Sequence, residues 1–306
     1  MSRLVKCWPN IKDGISLAVY TSHCIATRPP DHNPPTSRLY TQPHDLNDNS
    51  NNTHTTPIIT RALVNPANEE LIGTVLPYFP MAGPPPKDLF TTSWGGLSAG
   101  YGMFYSMQSV DGIVSLHGGA DLRKACEELP VHEHAELVGG GGNKSGGYGC
   151  VRCPVGSTVI TAAFGEAITK NYSFIIHTVP PLWPGNGGSK HSLDEANDLL
   201  RSCYYNSFQT GFDAGAAIVT APFIGSGARR APLSNAINCA VKGVLDAIYS
   251  RNNSSNKQKD VQKVNTFNGN LPPWPAVAAE FVLLEPRIAL KLVDAIDHEL
   301  EVVGGR

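Results

Sequence analysis

The stretch that most restricts what this chain can fold into is LVNPANEEL at 63–71. Arg61, Ala62, Leu63 and Val64 read as the last residues of a buried strand. Pro66, which cannot donate to a sheet ladder, turns the chain away, and a helix-type stretch follows. Asn65 and Asn68 are then left at the strand's carboxyl end, the edge at which open α/β sheets take ligands. An asparagine amide offers donors and an acceptor without charge, so two of them suit a polyhydroxylated ligand such as ribose better than a metal or a phosphate. The alternative is that both amides satisfy loop backbone.

The remaining pattern alternates strand with helix. Residues 15–20, 155–163, 172–177, 216–221 and 281–285 read as strands, and Val110 opens a helix to residue 129, interrupted at Gly118 and Gly119. Ser192 and Glu195 form a capping-box signature ahead of an amphipathic helix with Leu193, Ala196, Leu200, Cys203 and Tyr204 on one face. Pro232 suits the first turn of a further helix, and 287–300 closes the pattern with Ile288, Leu292, Ile296 and Leu300 on its buried side. This order predicts one three-layer α/β/α sandwich with a mixed central sheet. Segments of about 28–57, 74–108 and 252–269 read as insertions into that single domain. The first and third are polar, and the second carries several aromatics, as a packed loop or lid beside a site does.

Composition restricts the partners. A net charge of −2 over 306 residues, with no basic run, argues against a nucleic-acid surface, which needs clustered Lys and Arg. No apolar stretch approaches the length that spans a bilayer, and the amino terminus lacks a signal-like apolar core, so an intracellular protein without a membrane partner is expected. Seven cysteines favour reduced thiols over a disulfide framework.

Chemistry can sit in several places. The turn at Ile224, Gly225, Ser226, Gly227 and Ala228 follows an apolar strand and precedes a helix, an arrangement that exposes backbone N–H groups to an anion such as a phosphate or diphosphate; a plain tight turn is the alternative. Asp111 opens a helix in Val110-Asp111-Gly112, either as an ordinary helix-start acid or as a carboxylate that holds a ligand or activates water. The glycine-rich run at 139–149 departs from a phosphate-binding Walker loop, because Asn143 stands where glycine must precede Lys144 and Ser145. Cys150 and Cys153, with His132 and His134 upstream, have zinc-like residue types, but no second Cys-x-x-Cys completes the set, so no metal site is expected.

Taken in order, LVNPAN at 63–68, SVDGIVSLHGG at 109–119, CPVGSTVIT at 153–161, FIIHTVPPLW at 174–183 and APFIGSGARRAP at 221–232 resemble the macrodomain family of ADP-ribose-binding modules. The resemblance implies a mixed sheet between helices, with ADP-ribose lying across the carboxyl ends of the strands and no cofactor. It implies that Gly225, Ser226, Gly227 and Ala228 wrap the diphosphate, that Asn65 and Asn68 lie near the distal ribose, and that Val64, Gly112, Ile113, Ile224 and Arg229 line the same cleft. By likeness to hydrolytic members, Asn68 and Asp111 become the catalytic pair. Asn68 would orient the ribose while Asp111, helped by the ligand's own phosphate, positions water for attack at the anomeric carbon. The implied partner is ADP-ribose or an ADP-ribosylated protein, and the implied reaction removes mono-ADP-ribose from acidic side chains. A reader without turnover, with the second insertion closing the site or recruiting a partner, is the alternative.

The chain departs from the family pattern in four places. Ser106, Met107, Gln108 and Ser109 stand where glycines usually precede the Val-Asp-Gly motif. His23, Cys24, Ile25 and Ala26 replace a Gly-Asp-Ile-Thr-like turn whose aspartate holds the adenine amino group, so Cys24 and Ile25 become the local contacts and Glu285 the candidate replacement carboxylate. Arg229 replaces the usual aromatic, and Arg230 the next glycine; they grip phosphate or are simply solvated.

Overall fold

The computed structural model describes residues 2–22, 24–26, 60–73, 96–98, 104–106, 109–132, 150–185, 189–251 and 277–304. Seven strands form one sheet: β1 (Arg3–Lys12), β2 (Ile15–Thr21), β3 (Arg61–Pro66), β6 (Thr158–Ala162), β7 (Phe174–Thr178), β8 (Ile218–Pro222) and β9 (Val277–Leu283). A separate antiparallel pair is made by β4 (Gly96–Ser98) and β5 (Phe104–Ser106) within the second insertion. The helices are α1 (Val110–Glu127), α2 (Glu166–Thr169), α3 (Leu193–Asp213), α4 (Leu233–Ser250) and α5 (Pro286–Gly304).

The sheet order is β1-β2-β9-β8-β3-β7-β6. The five central strands, β2, β9, β8, β3 and β7, pair in parallel, while β1 and β6 run antiparallel at the two edges. Side chains alternate across a strand, and this alternation sorts the core. Ala62, Val64, Val219, Ala221 and Phe281 pack with α3, α4 and α5, whereas Leu63, Ile175 and Val282 pack with α1 and α2. The expected three layers are therefore present, with helices on both faces of a mixed sheet. Tyr204 and Phe208 of α3 set their rings edge-on against Phe281, fixing that helix across the sheet.

Several sequence expectations need correction. Pro66 stays in β3, in register with Thr178, because its missing N–H falls at the end of the ladder. Glu69 and Glu70 then form a turn rather than a helix. The strand β1 was not expected; its half-buried, irregular pattern and a register shift against β2 hide the period. Leu193 is exposed although the helical period put it on the buried face, since it lies in the first turn beyond the sheet. The capping box is formed as read, with Ser192 Oγ accepting from Glu195 N and Glu195 Oε2 accepting from Ser192 N. The kink at the paired glycines is also present, Gly119 having φ 58° and ψ −146° inside α1. The insertions at 28–57 and 252–269 and the glycine run at 139–149 lie outside the described residues, as does most of 74–108. Among the described residues, no helix is long and apolar enough to cross a membrane.

A buried ion pair crosses the middle of the sheet. Arg61 Nη2 lies 3.1 Å from Glu280 Oε2, which also accepts from Thr220 Oγ1 at 3.1 Å. The Arg61 guanidinium sits 5.7 Å from the Tyr172 ring centroid. A charge left behind in such a place is far more costly than the loss of the pair. Glu280→Ala should therefore destabilise the fold by about 3–5 kcal/mol, while the combined Arg61→Met and Glu280→Leu substitution should recover most of that loss. Urea unfolding of the two variants checks this; equal loss in both would contradict it.

Candidate functional site

Parallel pairing brings the carboxyl ends of β2, β9, β8, β3 and β7 to one edge, and the loops that follow them line up in strand order. Cys24 and Ile25 follow β2, Glu285 follows β9, Ile224 to Ala228 follow β8, and Asn65 to Asn68 end β3. Three strand spacings, about 14 Å, separate the first of these positions from the last. The Ser22 N–H donates to Leu283 O, so the β2 and β9 loops leave the sheet side by side. Cys24 is half-buried, while Ile25 is buried with its carbonyl accepting from Tyr172 Oη at 2.7 Å. Glu285 is exposed at the entry to α5, its carbonyl accepting from Ile288 N and Ala289 N.

At the other end of the edge lies a buried polar chain. In β3, Arg61, Leu63 and Asn65 share the face toward α1, and His177 is the register partner of Asn65 in β7. Asn65 Nδ2 donates to Asp111 Oδ1 at 2.8 Å and lies 3.2 Å from His177 Nδ1, and His177 Nε2 lies 3.0 Å from Thr161 Oγ1. All four residues are buried, Asn65, Asp111 and His177 to within 2% of full burial. Burial pulls the His177 imidazole down to about 4, so it is neutral near pH 7. Asp111 is not the helix cap. Ser109 caps α1, its Oγ accepting from Gly112 N at 3.0 Å, and the carboxylate in the first turn is turned inward to Asn65.

The phosphate-type loop is built by α3 and by glycine. Tyr204 Oη accepts from Ile224 N at 2.6 Å and donates to Ile224 O at 3.3 Å, pinning the end of β8. Gly225 then has φ 96°, a left-handed conformation, and a Cβ there would meet both Leu200 methyl carbons at 3.0 Å. The far side of the turn is closed by Arg230 N to Gly227 O and Ala231 N to Gly225 O. Between those closures, the N–H groups of Gly225, Ser226, Gly227, Ala228 and Arg229 donate to no other described residue. Gly227 and Ala228 are exposed. Arg229 reaches back across the edge, its Nη2 lying 3.4 Å from Ala67 O, so one guanidinium joins the loop after β8 to the loop after β3.

Other expected contacts fall differently. Asn65 is buried in the α1 layer, in a β3 that extends through Pro66, with its amide donating to Asp111. Val64 packs with α3 to α5 and Ile224 is buried, so neither offers a side chain to a ligand. The N–H groups of Gly112 and Ile113 are both taken by Ser109. Asn68 holds its own loop, Nδ2 donating to Gly73 O at 2.9 Å and Oδ1 accepting from Ile72 N at 3.1 Å. His177 and Thr161 were missed as site residues, although a histidine on an otherwise apolar strand is a visible signal. Cys153 is buried and Cys150 exposed, so the pair does not converge, and among the described residues no three metal-ligating side chains cluster. His134 lies outside the described residues.

Comparison with known proteins matches this arrangement to a family. The Macro domain model matches residues 102–240, beginning inside the second insertion. A Macro domain-containing protein of Caldanaerobacter subterraneus subsp. tengcongensis is 32% identical over 144 residues, 45% of this chain and 74% of that protein. The chain belongs to the macrodomain family. An O-acetyl-ADP-ribose deacetylase of Citrobacter koseri is 30% identical over 137 residues, 45% of the chain and 62% of that protein. The matches to three Streptomyces macro domain-containing proteins span 60%, 64% and 62% of their length. Among solved structures, a mutant of the Oceanobacillus iheyensis macrodomain with ADPR has a TM-score of 0.53 at 17% identity, covering 98% of this chain and 100% of that one, a likeness of fold.

The neutral histidine makes this macrodomain acid-sensitive in a defined window. Its folded-state value lies below the ordinary 6.5, so the unfolded chain takes up the proton first and stability falls as pH drops from 6.5 toward 4. The contribution between neutral pH and pH 4.5 is about 2–3 kcal/mol. Urea unfolding at the two pH values should show that component in the native chain and not in His177→Asn; an unchanged pH slope in the variant would contradict it.

Proposed function

We propose that this macrodomain binds ADP-ribose across the carboxyl edge of its sheet and hydrolyses mono-ADP-ribose from acidic side chains. The observation that carries the reading is the run of five N–H groups at 225–229 that donate to no described residue, midway along the edge between the loop after β2 and the loop after β3. Such a concavity favours a diphosphate, because each oxygen is met by a peptide dipole that needs no reorganisation. The Arg229 guanidinium, at the border between that loop and Ala67, adds a fixed positive charge on the ribose side. In this reading Cys24 and Ile25 flank the adenine, and exposed Glu285 accepts from its amino group. The ligands named for the relatives, O-acetyl-ADP-ribose and ADPR, are of the same class.

For the reaction, water attacks the anomeric carbon of the distal ribose, the bond from that carbon to the ester oxygen breaks, and the protein carboxylate leaves. Asp111 holds the attacking water and takes up its proton. Asn68 orients the ribose with the Nδ2 hydrogen and Oδ1 lone pair left over from its two loop bonds. Positioning and electrostatics supply most of the acceleration in such a step.

A reader without turnover is the second reading, and two observations favour it: Asp111 is only 2% exposed, and Asn68 is tied to its own loop. Calorimetry with ADP-ribose, ADP and adenosine, followed by incubation with a peptide ADP-ribosylated on glutamate, separates the two. The expected outcome is binding of ADP-ribose over adenosine and release that falls at least about 100-fold in Asp111→Ala. Binding without release in the native chain leaves the reader; no binding overturns both.

A further inference from the structure

Asp111 reaches His177 through one amide. In the ionised form that the proposed reaction requires, Asp111 is an acceptor only, so the Asn65 atom 2.8 Å from it is the nitrogen, not the oxygen. That choice leaves Asn65 Oδ1 buried without a hydrogen bond among the described residues, and it is kept because the reverse orientation would set oxygen against carboxylate. With the nitrogen so fixed, His177 Nδ1 at 3.2 Å has to accept the second amide hydrogen. The remaining proton of the neutral ring is then on Nε2, where Thr161 Oγ1 lies 3.0 Å away to receive it. Each link sets the next, from β6 through β7 and β3 to the first turn of α1.

We infer that His177 is a positioning residue for the cleft: by accepting from Asn65 and donating to Thr161 it locks the Asn65 amide, and the amide in turn holds the Asp111 carboxylate in one orientation. Resting on the proposed role of Asp111, this adds a regulator of that role that touches no ligand. The placement follows from the fold, because Asn65 and His177 are register partners on neighbouring parallel strands with side chains on the same face. An imidazole is suited to the task, since it carries an acceptor and a donor on opposite sides of a rigid ring. The Cys126 thiol, 3.9 Å from Nε2, is too long and too weak a partner to replace Thr161.

The full chain carrying His177→Asn, His177→Leu or Thr161→Val tests it. In asparagine, Oδ1 takes the place of Nδ1 and keeps the bond to Asn65; leucine removes both links, and Thr161→Val removes only the far one. Nitrogen-15 NMR at neutral pH should find Nε2 protonated and Nδ1 bare in the native protein, with the Asn65 side-chain hydrogens slow to exchange. Exchange should speed at least ten-fold in His177→Leu and stay slow in His177→Asn. On the ADP-ribosylated peptide, kcat should fall about 10- to 100-fold in His177→Leu with KM little changed, and recover most of the loss in His177→Asn. Thr161→Val, a near-isosteric change that leaves the ring in place, should raise the Nδ1-protonated tautomer and lower kcat several-fold. A native chain with no turnover overturns the hydrolase reading alone, and the tautomer and exchange measurements still decide the role of His177. A protonated Nδ1 in the native protein, or equal Asn65 exchange in all variants, overturns the inference.

Discussion

Parallel pairing of the five central strands is the constraint on which everything else rests. It sends their carboxyl ends to one edge, so loops from distant parts of the sequence become neighbours in strand order. Helices on both faces leave that edge as the place where polar groups can meet solvent without being covered. Of the two antiparallel edge strands, β6 brings the loop that enters it to this line, Arg152 N and Cys153 N donating to Glu69 O and Gly156 N to Val179 O.

Two kinds of polar order coexist beneath this edge. The Arg61 and Glu280 pair is enclosed by the sheet and the Tyr172 ring, and its effect is on stability. The chain from Thr161 through His177 and Asn65 to Asp111 runs to the first turn of α1, and the effect proposed for it is on orientation. The backbone loop at 225–229 differs from both, because its donors meet no described residue while Tyr204 and Gly225 fix its shape. A site whose shape is held by committed groups and whose recognition uses uncommitted ones needs little rearrangement to bind.

Local chemistry was readable from the sequence wherever a few neighbouring residues decide it. The Ser192 capping box, the glycine kink in α1 and the turn after β8 depend on side chains within a few positions, and the structure has each of them. The burial of Asn65 was not readable because it depends on how far β3 continues, and the strand runs to Pro66 instead of stopping at Val64. His177 stands out on an apolar strand, but its contact with Asn65 was not readable, since that partner lies 112 residues away and only the pairing of β3 with β7 brings them together. Asn68 makes two bonds to its own loop, and nothing in the motif itself gives those bonds away, because their partners, Ile72 and Gly73, lie beyond the motif.

The most direct measurement is the change in backbone amide signals as ADP-ribose is added to the labelled protein. A ligand lying along the strand ends should move Gly225, Ser226, Gly227, Ala228 and Arg229 most, with smaller changes at Cys24 and Glu285 at one end and at Asn68 at the other. Shifts confined to a different surface, or none at saturating ligand, would contradict the assignment of this edge as the binding cleft.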